Sequence, residues 1–136
     1  MSAKYIRIDT SGTVDVLDGV GEKPSLEWMQ EKVGGYVERV VIPKCEADMI
    51  DMYGDEEALI KEDSVYNRVA SIFANRALVY TPADCYEYNL FGAFVLVGYN
   101  ENKDGDMEWC WLTDSQVSAV LDKHGLREIA TEVKGA

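Results

Sequence analysis

FGAFVLVGYNENKDGDMEWCWL, residues 91–112, is the stretch that decides the fold. Residues 91–99 and 107–112 are rich in valine and aromatic residues, and the loop between them, residues 100–106, is polar. Two β-prone runs on either side of a short polar loop read as a hairpin. Toward the N-terminus, K-Y-I-R-I-D at residues 4–9 and T-V-D-V-L at 13–17 alternate with period two around Ser11-Gly12, which predicts a second hairpin. Hairpins join antiparallel neighbours, so two of them argue against a doubly wound parallel sheet.

Helical signals lie between the hairpins. Pro24-Ser25 opens a helix, with Ser25 as cap, Glu27 in the first turn, and Leu26, Met29 and Val33 on one face. Gly34-Gly35 ends it, because glycine takes the left-handed cap conformation without steric cost. Residues 36–42 are β-branched and predict a strand stopped by Pro43, and residues 47–60 predict one or two strands around Gly54. Asp63 or Ser64 is the expected cap of a second helix with a stripe of Val65, Val69, Ile72 and Phe73. Residues 77–80 read as a strand and 82–89 as a loop. Thr113 and Gln116 make a capping box for a third helix that turns Val117, Val120 and Leu121 inward and closes at Gly125. Residues 126–133 read as a last strand. The expected fold is α+β in a single domain over residues 1–136. Its sheet is mixed or mostly antiparallel, with about three helices packed on it.

Bulk properties narrow the setting. A chain of 136 residues that is 47% hydrophobic can fill one core without staples. Residues 1–9 alternate polar and apolar side chains, unlike a secretory signal, and the longest apolar run, 90–97, is far below the ~20 residues of a membrane helix. Cys45, Cys85 and Cys110 are odd in number and widely spaced, which fits reduced thiols and a cytoplasmic setting. The net charge is −12, from 25 acids against 13 bases. Such a field repels nucleic acid and anionic membranes and attracts basic protein surfaces.

Catalytic and cofactor motifs are not legible. His124, the one histidine, falls in the last turn of the third predicted helix, where a cation complements the helix dipole. Three scattered cysteines and one histidine do not make a zinc site. N-E-N-K-D-G-D-M-E at residues 100–108 lacks the ligand spacing of a calcium loop and has Lys103 at its middle, so it reads as a solvated hairpin loop. Gly34-Gly35 follows a helix and is no phosphate loop. No metal and no cofactor are therefore expected. Arg39, Arg68 and Arg76 are the arginines placed to meet an anion.

Acids concentrate at Glu46, Asp48, Asp51, Asp55, Glu56, Glu57, Glu62 and Asp63. Tyr53, Tyr66, Tyr80, Tyr86, Tyr88 and Tyr99 supply amphipathic rings of the kind that anchor interfaces. The order of L-E-W-M-Q-E-K-V-G-G-Y-V-E at 26–38, D-E-E at 55–57, N-R-V-A at 67–70 and F-G-A-F-V-L-V-G at 91–98 resembles an uncharacterised protein family frequent in bacteriophages and mobile elements. That family pairs a G-G-Y-[IV]-E segment with an acidic turn, an N-x-x-A helix and a G-x-x-V-x-V-G strand. Ala58 stands where its pattern has glycine. The resemblance implies a phage or plasmid origin, and, by association with other small accessory proteins of such elements, a counter-defence or host-takeover role.

Two functional expectations follow. The first is a non-enzymatic binding protein that inhibits a host or defence protein with a basic surface, through Asp55, Glu56 and Glu57. The alternative is a sponge that sequesters a small nucleotide signal with Arg39, Asn67, Arg68 and Asn75. An enzyme ranks third.

Overall fold

The computed structural model describes residues 3–76 and 89–135. Both predicted hairpins form. β1 (Lys4–Ile8) pairs with β2 (Val14–Asp18), and β5 (Phe94–Glu101) pairs with β6 (Met107–Cys110). β3 (Val37–Val40) and β4 (Ile50–Asp55) complete one six-stranded, wholly antiparallel sheet of order β2-β1-β5-β4-β3. β1 takes residues 94–96 of β5 and β6 takes residues 98–101, while β4 runs along 95–98. Residues 47–60 thus hold a single strand, followed by a 3-10 turn at Ala58–Ile60. Ala58 keeps a negative φ there, which alanine adopts without strain.

Alternation along the strands gives the sheet two unlike faces. One receives Ile6, Ile8, Val40, Ile50, Met52, Phe94 and Leu96. The helices α3 (Arg68–Arg76), α4 (Asp114–Ser118) with the π turn that continues it (Ala119–Lys123), and α5 (Leu126–Gly135) seal this face with Val69, Phe73, Val120, Leu126 and Ile129. The other face receives Tyr5, Tyr53, Val95, Val97 and Trp111, and among the described residues α1 (Leu26–Val33) is the helix that covers it, through Met29 and Val33. Trp28 of α1 meets Tyr5 at 4.8 Å and Trp111 at 4.9 Å, both edge to face, and this fixes α1 over one half of that face.

Several sequence expectations are corrected. Residues 126–133 are helical: Leu126, Ile129, Ala130 and Val133 follow the helical spacing, and Gly125, at φ +81°, separates α5 from the turn before it. The expected α+β architecture with an antiparallel sheet holds; with the four-residue α2 (Pro43–Glu46) there are five α-helices among the described residues. The second predicted helix begins later than Asp63 or Ser64. Asn67 accepts the Ala70 N–H at 3.0 Å as its cap, and Val65 lies outside the stripe, exposed. Leu26 is exposed too, so the inward face of α1 rests on Met29 and Val33. Residues 77–80 and 82–88, with Tyr80, Tyr86, Tyr88 and Cys85, lie outside the described residues.

The end of α1 needs both of its glycines. Gly34 has φ +85° and donates its N–H to the Gln30 carbonyl. Gly35 has an ordinary φ, but a Cβ there would lie 2.6 Å from the Asp55 carboxylate. Lys61 clamps the same corner by donating to the Gly34 carbonyl at 3.0 Å and pairing with Asp55.

Candidate functional site

The half of the α1 face that α1 leaves uncovered is a cleft of about 700 Å³. Its floor is set by register. Arg39 of β3 lies opposite Tyr53 of β4, and Tyr99 of β5 lies opposite Trp109 of β6. Asp51 is two residues before Tyr53 and so shares its face. Lys23 and Pro24, just before α1, close one side together with Met107 and Glu108; Glu46 of α2 closes another.

The polar groups form a continuous chain. The Trp109 indole N–H donates to the Tyr53 hydroxyl at 2.8 Å. Tyr53 donates to Asp51 Oδ2 at 3.0 Å. Arg39 donates from Nε to Asp51 Oδ1 at 2.9 Å and from its terminal nitrogen to Glu46 Oε1 at 2.7 Å. The Tyr99 hydroxyl donates to the Glu46 carbonyl at 3.1 Å, and Lys23 pairs with Glu108 at 3.3 Å. Asp51 is buried, and among the described residues every buried side-chain polar atom has a partner.

Burial and charge shift three of these groups, Tyr53, Arg39 and Tyr99. Burial pushes the Tyr53 phenol up to about 12; the Trp109 hydrogen bond opposes this, and the charge and hydrogen bond of Asp51 add to it. Tyr53 therefore remains a neutral donor. Burial alone would lower Arg39, but its hydrogen bonds and charge pairing with Asp51 and then Glu46 raise it overall. Burial, then the charges of Asp51 and Glu46, raise Tyr99. Cys45 lies in the sealed core, where burial and the nearby Asp48 and Asp51 carboxylates push its thiol up to about 12. Burial raises Cys110 as well. Neither thiol is an activated nucleophile. Among the described residues, no three His, Cys, Asp or Glu side chains are placed to hold a metal ion.

The turn that follows Glu46 at the end of α2 is braced from the sealed side. Gln116 completes its capping box with Thr113 and also donates to the carbonyls of Asp48 and Met49, at 3.1 and 3.2 Å. His124 caps the C-terminal end of that helical segment, as its position in the sequence suggests, and its buried side chain places Nε2 2.7 Å from Asp48 Oδ2, where Lys123 also reaches. The π turn brings both residues to that carboxylate. The His124 hydrogen bond, then that of Lys123, lowers the Asp48 carboxyl below its usual range. Met49, at φ +59°, is the one non-glycine residue with positive φ among the described residues.

The sequence-predicted sites distribute unevenly. Arg39 is in the cleft. Asn67, Arg68 and Asn75 belong to α3 or its cap, on the opposite face of the sheet, so the four nucleotide candidates are not brought together. Asn67 is wholly buried and donates to the carbonyls of Ile8 and Gly92, at 3.1 and 2.8 Å. In the acidic turn, Asp55 is consumed by Lys61 and by the Glu57 N–H at 2.9 Å, whereas Glu56 and Glu57 are exposed. Lys23, Met107 and Glu108 carried no signal in the sequence. Asp51 and Tyr53 did: the alternation of Ile50, Asp51, Met52 and Tyr53 sets both on the face opposite the sealed core.

Compared with known proteins, residues 4–125 match a family described as a domain of unknown function, DUF3846. No curated protein and no solved structure matches the chain.

Proposed function

The chain belongs to the DUF3846 family, and we propose that it is a non-enzymatic binding protein whose recognition site is the cleft over β3–β6. The observation that carries this reading is the closed chain Trp109–Tyr53–Asp51–Arg39–Glu46. Catalysis needs a nucleophile or base held short of its preferred state. Here each polar group already meets its partner, and Tyr53 is kept neutral. What the cleft offers is a preorganised, concave surface of rings and charges, the composition of an interface hot spot. The partner is a host or defence protein with a basic surface, inhibited in the host cytoplasm by a protein of phage or mobile-element origin. Glu56 and Glu57, exposed beyond the far end of β4, steer such a partner toward the cleft.

One observation favours the nucleotide sponge: an arginine and three aromatic rings do share a concave site. Against it stands the pairing of Arg39 with two carboxylates, which a phosphate would have to displace. An affinity capture from host lysate distinguishes the readings, with bound proteins and small molecules identified together by mass spectrometry. Wild type is run beside Trp109→Ala. The binding reading expects a protein partner that is lost with Trp109→Ala. A co-purifying nucleotide lost with that substitution would replace it by the sponge.

A further inference from the structure

We propose that the cleft receives one arginine side chain, presented by a basic segment of the partner protein. This rests on the binding reading above and adds the chemistry of the ligand. Charge decides the class. Lys23 and Arg39 bring two positive charges to the cleft; Glu46, Asp51 and Glu108 bring three negative ones. Both cations are already paired, Lys23 with Glu108 and Arg39 with Asp51 and Glu46. An added guanidinium brings the cleft to neutrality. An added phosphate deepens an excess that the whole chain, at −12, already carries.

The walls suit a planar cation. Tyr53 and Trp109 meet edge to face, with ring centroids 5.3 Å apart and an interplanar angle of 72°. Trp109 is fixed by its hydrogen bond to Tyr53, and Tyr99 by its bond to the Glu46 carbonyl. Tyr53 is itself buried, so the half-buried Trp109 and Tyr99 are the rings that offer negative π faces, held in place without losing rotamer freedom on binding. Arg39 uses Oε1 of Glu46 and Lys23 uses Oε2 of Glu108, so each carboxylate has a second oxygen to accept from a forked donor. Met107, 58% exposed at the rim, supplies a soft apolar surface for the alkyl stem. A lysine ammonium is more strongly hydrated and does not stack, so arginine is preferred.

The test titrates the full chain with acetyl-Gly-Gly-Arg-Gly-Gly-amide, with the same peptide carrying lysine or citrulline, and with ATP as an anionic probe. Binding is followed on the ¹⁵N-labelled tryptophan indole signals. The arginine peptide is expected to shift the Trp109 signal saturably and to bind about tenfold more tightly than the citrulline peptide. Glu108→Gln at a half-buried side chain and Glu46→Gln at an exposed one should each weaken it severalfold, with only a small change in the melting curve because each removes one partly solvated ion pair. Equal binding of the arginine and citrulline peptides, or a response to ATP alone, overturns the ligand assignment. If none of the probes binds but Trp109→Ala still abolishes partner capture, the arginine assignment fails and the cleft reading stands. If capture survives Trp109→Ala, both fail.

Discussion

The sealed and open faces of the sheet are built from the same strands. β4 sends Ile50 and Met52 into a core closed by α3, α4 and α5, and sends Asp51 and Tyr53 into a cleft. Their ring clusters differ in the same way. Tyr5, Trp28 and Trp111 lock α1 down, whereas Tyr53 and Trp109 border open space. Alternation therefore separates two environments: one face carries most of the apolar burial, and the other carries a satisfied polar chain that borders the cleft. Substitutions on the sealed face should change stability first, and those in the cleft should change recognition first.

The largest effect is expected from Phe73→Ala. Phe73 is 1% exposed among Val69, Ala70 and the α5 residues, so its truncation should cost about 3–5 kcal/mol in urea unfolding. Trp109→Ala should cost well under half of that, since its ring is only partly buried. Equal losses would break the distinction between the faces. Next comes Asp51→Ala, which removes the acceptor shared by Arg39 and Tyr53 and should cost about 2–3 kcal/mol. A near-neutral result would mean that the polar chain does not brace the open half.

Gly34→Val and Gly35→Val should each cost about 1–2 kcal/mol, for different reasons. At Gly34 the backbone is left-handed; at Gly35 a Cβ meets Asp55. Replacing Asp55 by Ala should relieve Gly35→Val in part and leave Gly34→Val unrelieved, as a double-mutant cycle of melting curves will report.

Tyr53 makes a pH prediction. Its folded pKa, about 12, lies above the ~10 of a free phenol, so its contribution is whole below about pH 10 and is lost as pH rises through 12. Stability measured by urea unfolding should decline over that window, and Tyr53→Phe should make the decline shallower, leaving the share of the Cys45 thiol, which is also pushed up to about 12. The smallest effect on the fold is expected from Glu56→Gln with Glu57→Gln, below about 0.5 kcal/mol, because both are exposed. If these acids steer the partner, the pair should still slow association at low salt, and the difference should shrink as salt shortens the screening length to ~8 Å. Asp55 is left intact in this test because it holds the Gly34-Gly35 corner.

Local patterns were legible in the chain and distant ones were not. The hairpins, the Ser25 cap and the Thr113–Gln116 box follow from residues within a few positions of one another. Residues 126–133 read locally as a strand because Ile129 and Val133 are β-branched, yet Leu126, Ile129 and Val133 recur at helical spacing and form α5. The start of α3 is not legible locally, because Asn67 draws bonding partners from Ile8 and Gly92, residues remote in sequence. The cleft was half legible. Arg39, Asp51, Tyr53 and Tyr99 were visible as single residues, but only strand register reveals that they share one face with Trp109.

The central claim, that recognition occurs in the cleft, is tested most directly by the indole spectrum of the protein with its captured partner. The three tryptophans give three reporters. Trp28 and Trp111 sit in the packed cluster beside α1, with the Trp111 indole N–H held by the Gly21 carbonyl at 3.0 Å, and Trp109 borders the cleft. The Trp109 signal should shift on binding while the other two hold still. An unmoved Trp109 signal, with shifts confined to the backbone amides of Glu56 and Glu57, would contradict the claim and return recognition to the acidic turn.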